Sequence, residues 1–265
     1  MADPHLHYDV TGTGPVLLLI PGGAGHPMGL GPMTEALAGR FTVVTYDPLG
    51  LAHGRLGAPV EDQRPQDWSG GARRVLDATL PDGESAYVHG ISAGGVAALD
   101  LVARHPERLL HVVAHEPPCV SVLPDGARQR AGFVEVCDVY RDRGLAAAGA
   151  RMTALLEERA AGELPEGQPL SREEELASPM AISLAHVLRP FTAYIPTAAP
   201  SGPRLTLTAG TDSRSQLLYR TAELLAKELH GDFVEFPGGH LGAAQHPVAY
   251  AEQLTRTLLG ADVPG

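Results

Sequence analysis

Short runs of Val, Leu and Thr alternate with longer segments whose apolar residues recur every three or four positions, and this alternation restricts the chain to very few folds. Six runs have the length and composition of strands: PVLLLI at 15–20, FTVVTY at 41–46, SAYVHG at 85–90, LLHVVAH at 109–115, RLTLTAG at 204–210 and DFVEFP at 232–237. Among them lie MTEALAG, WSGGARRVLDATL, GGVAALDLVARH, QLLYRTAELLAKEL and PVAYAEQLTRTLL, which read as amphipathic helices. Strands joined through helices give an α/β fold, a mostly parallel central sheet flanked by helices on both faces.

One interval breaks the rhythm. About 85 residues, 119–203, separate the fourth strand from the fifth, several times the usual connection. Its two long segments, 128–158 and 171–195, read as amphipathic helices on either side of the polar loop RAAGELPEGQPL. Ligands of parallel sheets bind beyond the carboxyl ends of the strands, so an insertion leaving from such an end is expected to lie over the site. The expected division is a core of 1–118 and 199–265 with a helical cap of 119–198.

The stretch AYVHGISAGGVAA, 86–98, carries the chemistry. Gly90-Ile91-Ser92-Ala93-Gly94 is a G-x-S-x-G sequence between a predicted strand and a predicted helix, the setting in which a serine is held on a sharp turn with its Oγ exposed. The glycines let strand and helix approach closely, and the helix N-terminus aims N–H groups and positive dipole at an anion formed on Ser92. Ser92 is therefore the predicted nucleophile.

A serine hydroxyl needs a base, and in such folds the order along the chain is serine, acid, histidine. His240, in FPGGHLG directly after the last predicted strand, is the predicted base; His246, before Pro247, reads as a surface or capping residue. Two carboxylates stand at strand ends between Ser92 and His240. Asp212 follows the penultimate strand, the common place for the acid, among Thr211, Ser213 and Arg214. Glu116 ends the strand after the nucleophile helix, where Pro117 and Pro118 stiffen the exit of the chain. Either could orient the imidazole.

Glycines in LLLIPGGAGHP let the backbone approach a developing negative charge, so the N–H groups of Gly23 and Ala93 are the predicted oxyanion donors, with Gly22 and Gly25 keeping the loop small.

The formal charge of −11 repels phosphate backbones and anionic lipid, so neither nucleic acid nor a membrane surface is the expected partner. The N-terminal MADPHLHYDVTGTGP lacks the basic and apolar regions of a signal peptide, and VLLLI is too short to span a bilayer, which predicts a cytoplasmic protein. Cys119 and Cys137 read as buried thiols. The histidines show no metal-binding pair on a predicted helix and no lysine completes a phosphate loop, so no metal or organic cofactor is expected.

Taken in order, IPGGAG, YDPLGLAHGR, GISAGG and FPGGHLG resemble the α/β-hydrolase superfamily over essentially the whole chain. More narrowly, AHEPP, IPTAAP and FPGGHLGAAQHP resemble zearalenone lactone hydrolases. That resemblance implies Glu116 as the acid in preference to Asp212, while the wider superfamily resemblance implies Asp47 and Gly50 as shapers of the wall beside the nucleophile. It also implies an aromatic contact from the cap, whereas the one tryptophan, Trp68, lies outside it. The cap instead offers Phe133, Met152, Met180, Leu184 and Ile195, with Val187, Leu188, Phe191 and Tyr194 the expected substrate contacts. The expected function is cleavage of a hydrophobic small-molecule ester or lactone through an acyl-enzyme. A cofactor-independent lyase, cyclase or perhydrolase, or a slow-turnover receptor, are the alternatives. A homodimer is left open.

Overall fold

The computed structural model describes residues 6–23, 29–50, 60–198 and 202–260. The six predicted strands form as β2 (Val16–Ile20), β3 (Thr42–Tyr46), β4 (Ala86–Ile91), β5 (Leu109–His115), β6 (Arg204–Gly210) and β7 (Asp232–Phe236), and a seventh, β1 (Tyr8–Thr11), precedes them. The sheet runs β1-β3-β2-β4-β5-β6-β7. All pairings are parallel except that of β1, which lies antiparallel on β3 with Tyr8 opposite Tyr46. The central strands are buried on both faces, which explains their continuous apolar runs.

Helices α1 (Gly31–Ala38), α2 (Pro65–Thr79), α3 (Ala93–Arg104), α8 (Leu217–Glu228) and α10 (Pro247–Leu259) cover the sheet. Leu18, Val44, Val88 and Val112 pack with Trp68, Val75, Val96 and Leu225 on one face, while Leu17, Val43 and Val113 pack with Met33, Leu37, Tyr250 and Leu254 on the other. Strand alternation sends neighbouring residues to opposite layers. The short α9 (Gly242–Gln245) leads into α10.

Between β5 and β6 the chain is helical, with differences from the expected pattern. The run α4 (Gly126–Leu156) is broken at Gly144, whose φ of 76° lies in the left-handed region. Its halves fold back on each other: a Cβ on Gly132 would strike Leu155, and Arg151 reaches Glu135 at 2.7 Å. The segment read as one helix over 171–195 is instead α5 (Arg172–Leu176), α6 (Pro179–Ile182), a π-helical turn over 183–187 and α7 (Leu188–Thr192). Ser178 caps α6 through its hydroxyl, and Pro179 fills the first helical position, where no N–H is needed. These elements form a third apolar cluster that reaches Leu217 and Leu218 of α8. Among the described residues no helix is long and apolar enough to cross a membrane. Cys119 and Cys137 are free and buried.

Candidate active site

Ser92 sits at the turn from β4 to α3 with φ 53° and ψ −118°, a conformation costly for a residue with a Cβ. The surroundings impose it. Its N–H donates to the His115 carbonyl at 2.9 Å, and its own carbonyl accepts from the Val96 N–H at 3.1 Å, the first bond of α3. A Cβ on Gly90 would strike the Gly94 carbonyl, and one on Gly94 would strike the backbone oxygens of Ile20 and Pro21, so the turn closes only with glycine at both positions. The strain costs about 1–3 kcal/mol and persists because the sheet and helix dictate it.

β5 and β6 end side by side, with His115 opposite Thr208. The next residue, Glu116, has φ 42°, and its N–H donates to the Thr208 carbonyl at 2.9 Å. That turns its side chain into the space between the strand ends, where it is 1% exposed. Glu116 Oε1 accepts from the Gly210 N–H at 3.0 Å, and Oε2 lies 2.8 Å from His240 Nδ1. An ionised carboxylate only accepts, so Nδ1 carries the proton and Nε2 is left free to take one. Burial pushes the Glu116 carboxyl up. The hydrogen bond from His240, the charges of His240 and His115, and the Gly210 N–H outweigh it and hold the pKa at about 2.

Asp212 is exposed, in a single turn of 3-10 helix over Thr211–Ser213. Its backbone N–H donates to the Gly238 carbonyl at 2.9 Å, and it makes no bond to His240. His246, also exposed, stands at the N-cap of α10.

A histidine the sequence did not single out supports this arrangement. His115 is buried against Phe236 and Tyr250, with Nδ1 3.0 Å from Thr208 Oγ1 and Nε2 3.4 Å from the Gly239 carbonyl. A carbonyl only accepts, so one neutral tautomer, with Nε2 donating and Nδ1 accepting, satisfies both contacts. Burial lowers its pKa to about 4, opposed by Glu116 and aided by His240. It thereby ties the residue before His240 to the core of the sheet.

Ser92 and His240 line one cavity of about 200 Å³, without a hydrogen bond between them. Gly22 and Gly23 form the wall beside them; a Cβ on Gly22 would lie 3.5 Å from Ser92 Cβ and one on Gly23 3.9 Å from Ala93 Cβ. The helical interval lines the rest of the cavity with Phe133, Met152, Leu156, Leu184 and Leu188, and brings Ser183 against Gly23. Among the described residues no group of three or more His, Cys, Asp or Glu could hold a metal ion.

The profile of the Alpha/beta hydrolase family matches residues 17–253. The chain belongs to that family. An uncharacterized hydrolase, YraK, of Bacillus subtilis strain 168 is 31% identical to this hydrolase over 258 residues, which span 94% of this chain and 91% of the relative. A zearalenone hydrolase of Bionectria ochroleuca is 30% identical over 115 residues, 42% of this chain and 43% of its own, so the narrower resemblance covers a part of the chain. A thermophilic esterase from Thermogutta terrifontis superposes with a TM-score of 0.66 at 17% identity, covering 96% of this chain and 92% of its own, a likeness of fold.

The expected substrate contacts of the hydrolase separate into two groups. Leu188 lines the cavity, and so do Phe133, Met152, Met180 and Leu184. Val187, Phe191 and Tyr194 do not: Val187 and Phe191 are buried in the main core, Phe191 edge-on to Trp68 at 4.9 Å, and Tyr194 Oη donates to Asp100 Oδ1 at 2.9 Å. Ile195 is exposed. The physical reason is the π-helical turn, which inserts an extra residue and rotates everything after it by about 100° relative to an unbroken helix. Asp47 is buried and Gly50 takes a positive φ of 69°, while Gly25 and residues 51–55 of the neighbouring loop lie outside the described residues.

Proposed function

We propose that the hydrolase cleaves carboxylic esters or lactones of hydrophobic small molecules through Ser92, His240 and Glu116. The observation that carries this reading is the 2.8 Å bond between Glu116 Oε2 and His240 Nδ1 beside the cavity that holds Ser92 at the N-terminus of α3. His240 Nε2 removes the Ser92 proton as Oγ attacks the carbonyl carbon. The N–H groups of Gly23 and Ala93 hold the oxyanion, each contributing about 10²- to 10³-fold in rate. The tetrahedral adduct collapses to an acyl-Ser92, and His240 gives its proton to the leaving alkoxide. Water, deprotonated by the same nitrogen, then attacks the acyl carbon, and the acid leaves as Ser92 recovers its proton. Glu116, ionised throughout, stabilises the imidazolium.

The apolar far wall, built by the interval 119–198 acting as a cap, favours an uncharged, hydrophobic acyl or lactone group. The partial likeness to a zearalenone hydrolase supports lactones within that class.

Intact-protein mass after exposure to a fluorophosphonate tests this. Wild type should gain one adduct and lose turnover of an activated ester, and Ser92→Ala should do neither. Adduct formation on Ser92 with full turnover retained would instead favour a lyase, cyclase or perhydrolase.

A further inference from the structure

In the α-helices of the described residues, the threonine hydroxyls that are bonded donate to a carbonyl one turn back: Thr34, Thr79, Thr153, Thr192, Thr221, Thr255 and Thr257 each reach residue i−4 at 2.8–3.0 Å. This is the usual fate of a hydroxyl inside a helix. Ser183 departs from it. Its Oγ makes no hydrogen bond among the described residues although the residue is only 9% exposed, and the space it has left is the cavity that holds Ser92 and His240. A hydroxyl that gives up its helix carbonyl to face a cavity calls for a physical account.

Its position supplies one. A Cβ built on Gly23 would collide with Ser183 Oγ, so the hydroxyl occupies the place of a side chain at Gly23, directly against that backbone and within reach of whatever the Gly23 N–H binds. The π-helical turn puts it there. Leu188 N–H bonds to the Ser183 carbonyl, five residues back rather than four, which begins the wide turn at Ser183. The turn is also anchored from outside. The Gln63 N–H donates to the His186 carbonyl at 2.8 Å, and His186 Nδ1 meets Asp62 Oδ1 at 3.0 Å. Single π-turns of this kind concentrate at functional sites.

We propose that Ser183 is a third oxyanion donor, its hydroxyl joining the N–H groups of Gly23 and Ala93 on the substrate's carbonyl oxygen as that oxygen becomes negative. The proposal rests on the serine-hydrolase reading. Two of the donors are backbone groups of the sheet core, and the third comes from the helical interval. The oxyanion site is therefore complete only when that interval is seated, and substrates whose carbonyl reaches this point without displacing Ser183 are favoured. No covalent step is added, since the hydroxyl keeps its proton and shares it.

The test compares wild type with Ser183→Ala and Ser183→Thr, using p-nitrophenyl butyrate turnover, inhibition by an alkyl boronic acid, fluorophosphonate labelling and thermal melting. A donor that acts on the oxyanion lowers kcat and leaves KM nearly unchanged. Ser183→Ala should lose about 10- to 100-fold in kcat, weaken the tetrahedral boronate adduct by the same factor, and melt like wild type. Ser183→Thr, which keeps the hydroxyl, should recover part of the rate. A rise in KM with kcat intact, or a loss that Thr does not rescue and that follows a lower melting temperature, would reduce Ser183 to packing. Wild type that neither labels at Ser92 nor turns over the ester would overturn the hydrolase reading itself, and this proposal with it.

Discussion

Glu116 and His240, 124 residues apart in sequence, are joined by a 2.8 Å hydrogen bond, and the second oxygen of Glu116 is held by the Gly210 N–H. The carboxylate has no rotational freedom left, so it dictates both the tautomer and the direction of the imidazole. Glu116→Gln replaces one acceptor by a donor and removes the charge opposite the imidazolium. The expected loss in kcat is on the order of 10²- to 10⁴-fold. Asp212→Asn, a surface change of about 0.5 kcal/mol or less, should alter the rate about twofold at most. Steady-state kinetics on an activated ester read both, and the reverse order would return the acid to Asp212.

The strain at Ser92 predicts a trade between stability and activity. Ser92→Ala keeps a Cβ at φ 53° and should be as stable as wild type. Ser92→Gly removes the Cβ and releases part of the 1–3 kcal/mol, offset by the about 0.5–1 kcal/mol glycine loses in chain entropy. Urea unfolding should therefore show Ser92→Gly more stable than Ser92→Ala by about 1 kcal/mol, with both inactive. Equal midpoints would mean that the turn is relaxed.

Leu188 and Tyr194 should part company on mutation. Leu188→Ala enlarges the cavity and should shift preference toward longer acyl chains, read from kcat/KM across a series of p-nitrophenyl esters. Tyr194→Phe withdraws a donor from Asp100, a carboxylate 2% exposed that also accepts from Ser69, Gln66 and Arg104. It should cost about 1–3 kcal/mol of stability and leave acyl preference where it was. A changed preference in Tyr194→Phe would put that ring in the substrate site.

Acid should destabilise the fold early. His89 is buried between the Val113 carbonyl, the Tyr250 hydroxyl and His115, and burial with the His115 charge lowers its pKa to about 3 against the pull of Val113. His115, faced by Glu116 and His240, is lowered to about 4. Unfolded histidines titrate near 6.5, so as pH falls below about 6.5 the unfolded chain gains protons that the folded one refuses. Each of the two then removes up to about 1.4 kcal/mol per pH unit until its folded pKa is reached. Glu116 acts in the same sense lower down: its stabilisation is present above about 4.5 and lost toward about 2. The urea midpoint should fall between pH 7 and pH 5, and His89→Gln should flatten that slope. A midpoint constant over that range would show that these histidines titrate normally.

Six of the seven strands were legible because buried parallel strands are apolar throughout; β1, the polar YDVT, was not, since an exposed antiparallel edge needs no such run. Ser92 and His240 stood out as candidates because both occupy glycine-flanked positions at strand ends, and the structure brings the two to one cavity. Local pattern did not separate the two candidate acids, because Glu116 and Asp212 both end strands; in the structure it is Glu116 that meets His240. His115 looked like an ordinary strand residue; its two partners come from β6 and the loop after β7. Which of Val187, Leu188, Phe191 and Tyr194 would line the cavity was not legible, since helical periodicity presumes 3.6 residues per turn and the π-turn breaks the count.

The sheet order also sets a clock. Ser92 follows β4 and Glu116 follows β5, but His240 waits for β7, an edge strand whose pairing is with β6, which itself comes after the long helical interval. During synthesis the proposed nucleophile is made first, and the proposed mechanism leaves it inert until the last strand docks. Long-range parallel pairing is slow to form, so the return of hydrolase activity in a refolding experiment should mark the closing event of folding, and a chain truncated before β7 should carry Ser92 on its turn with no activity.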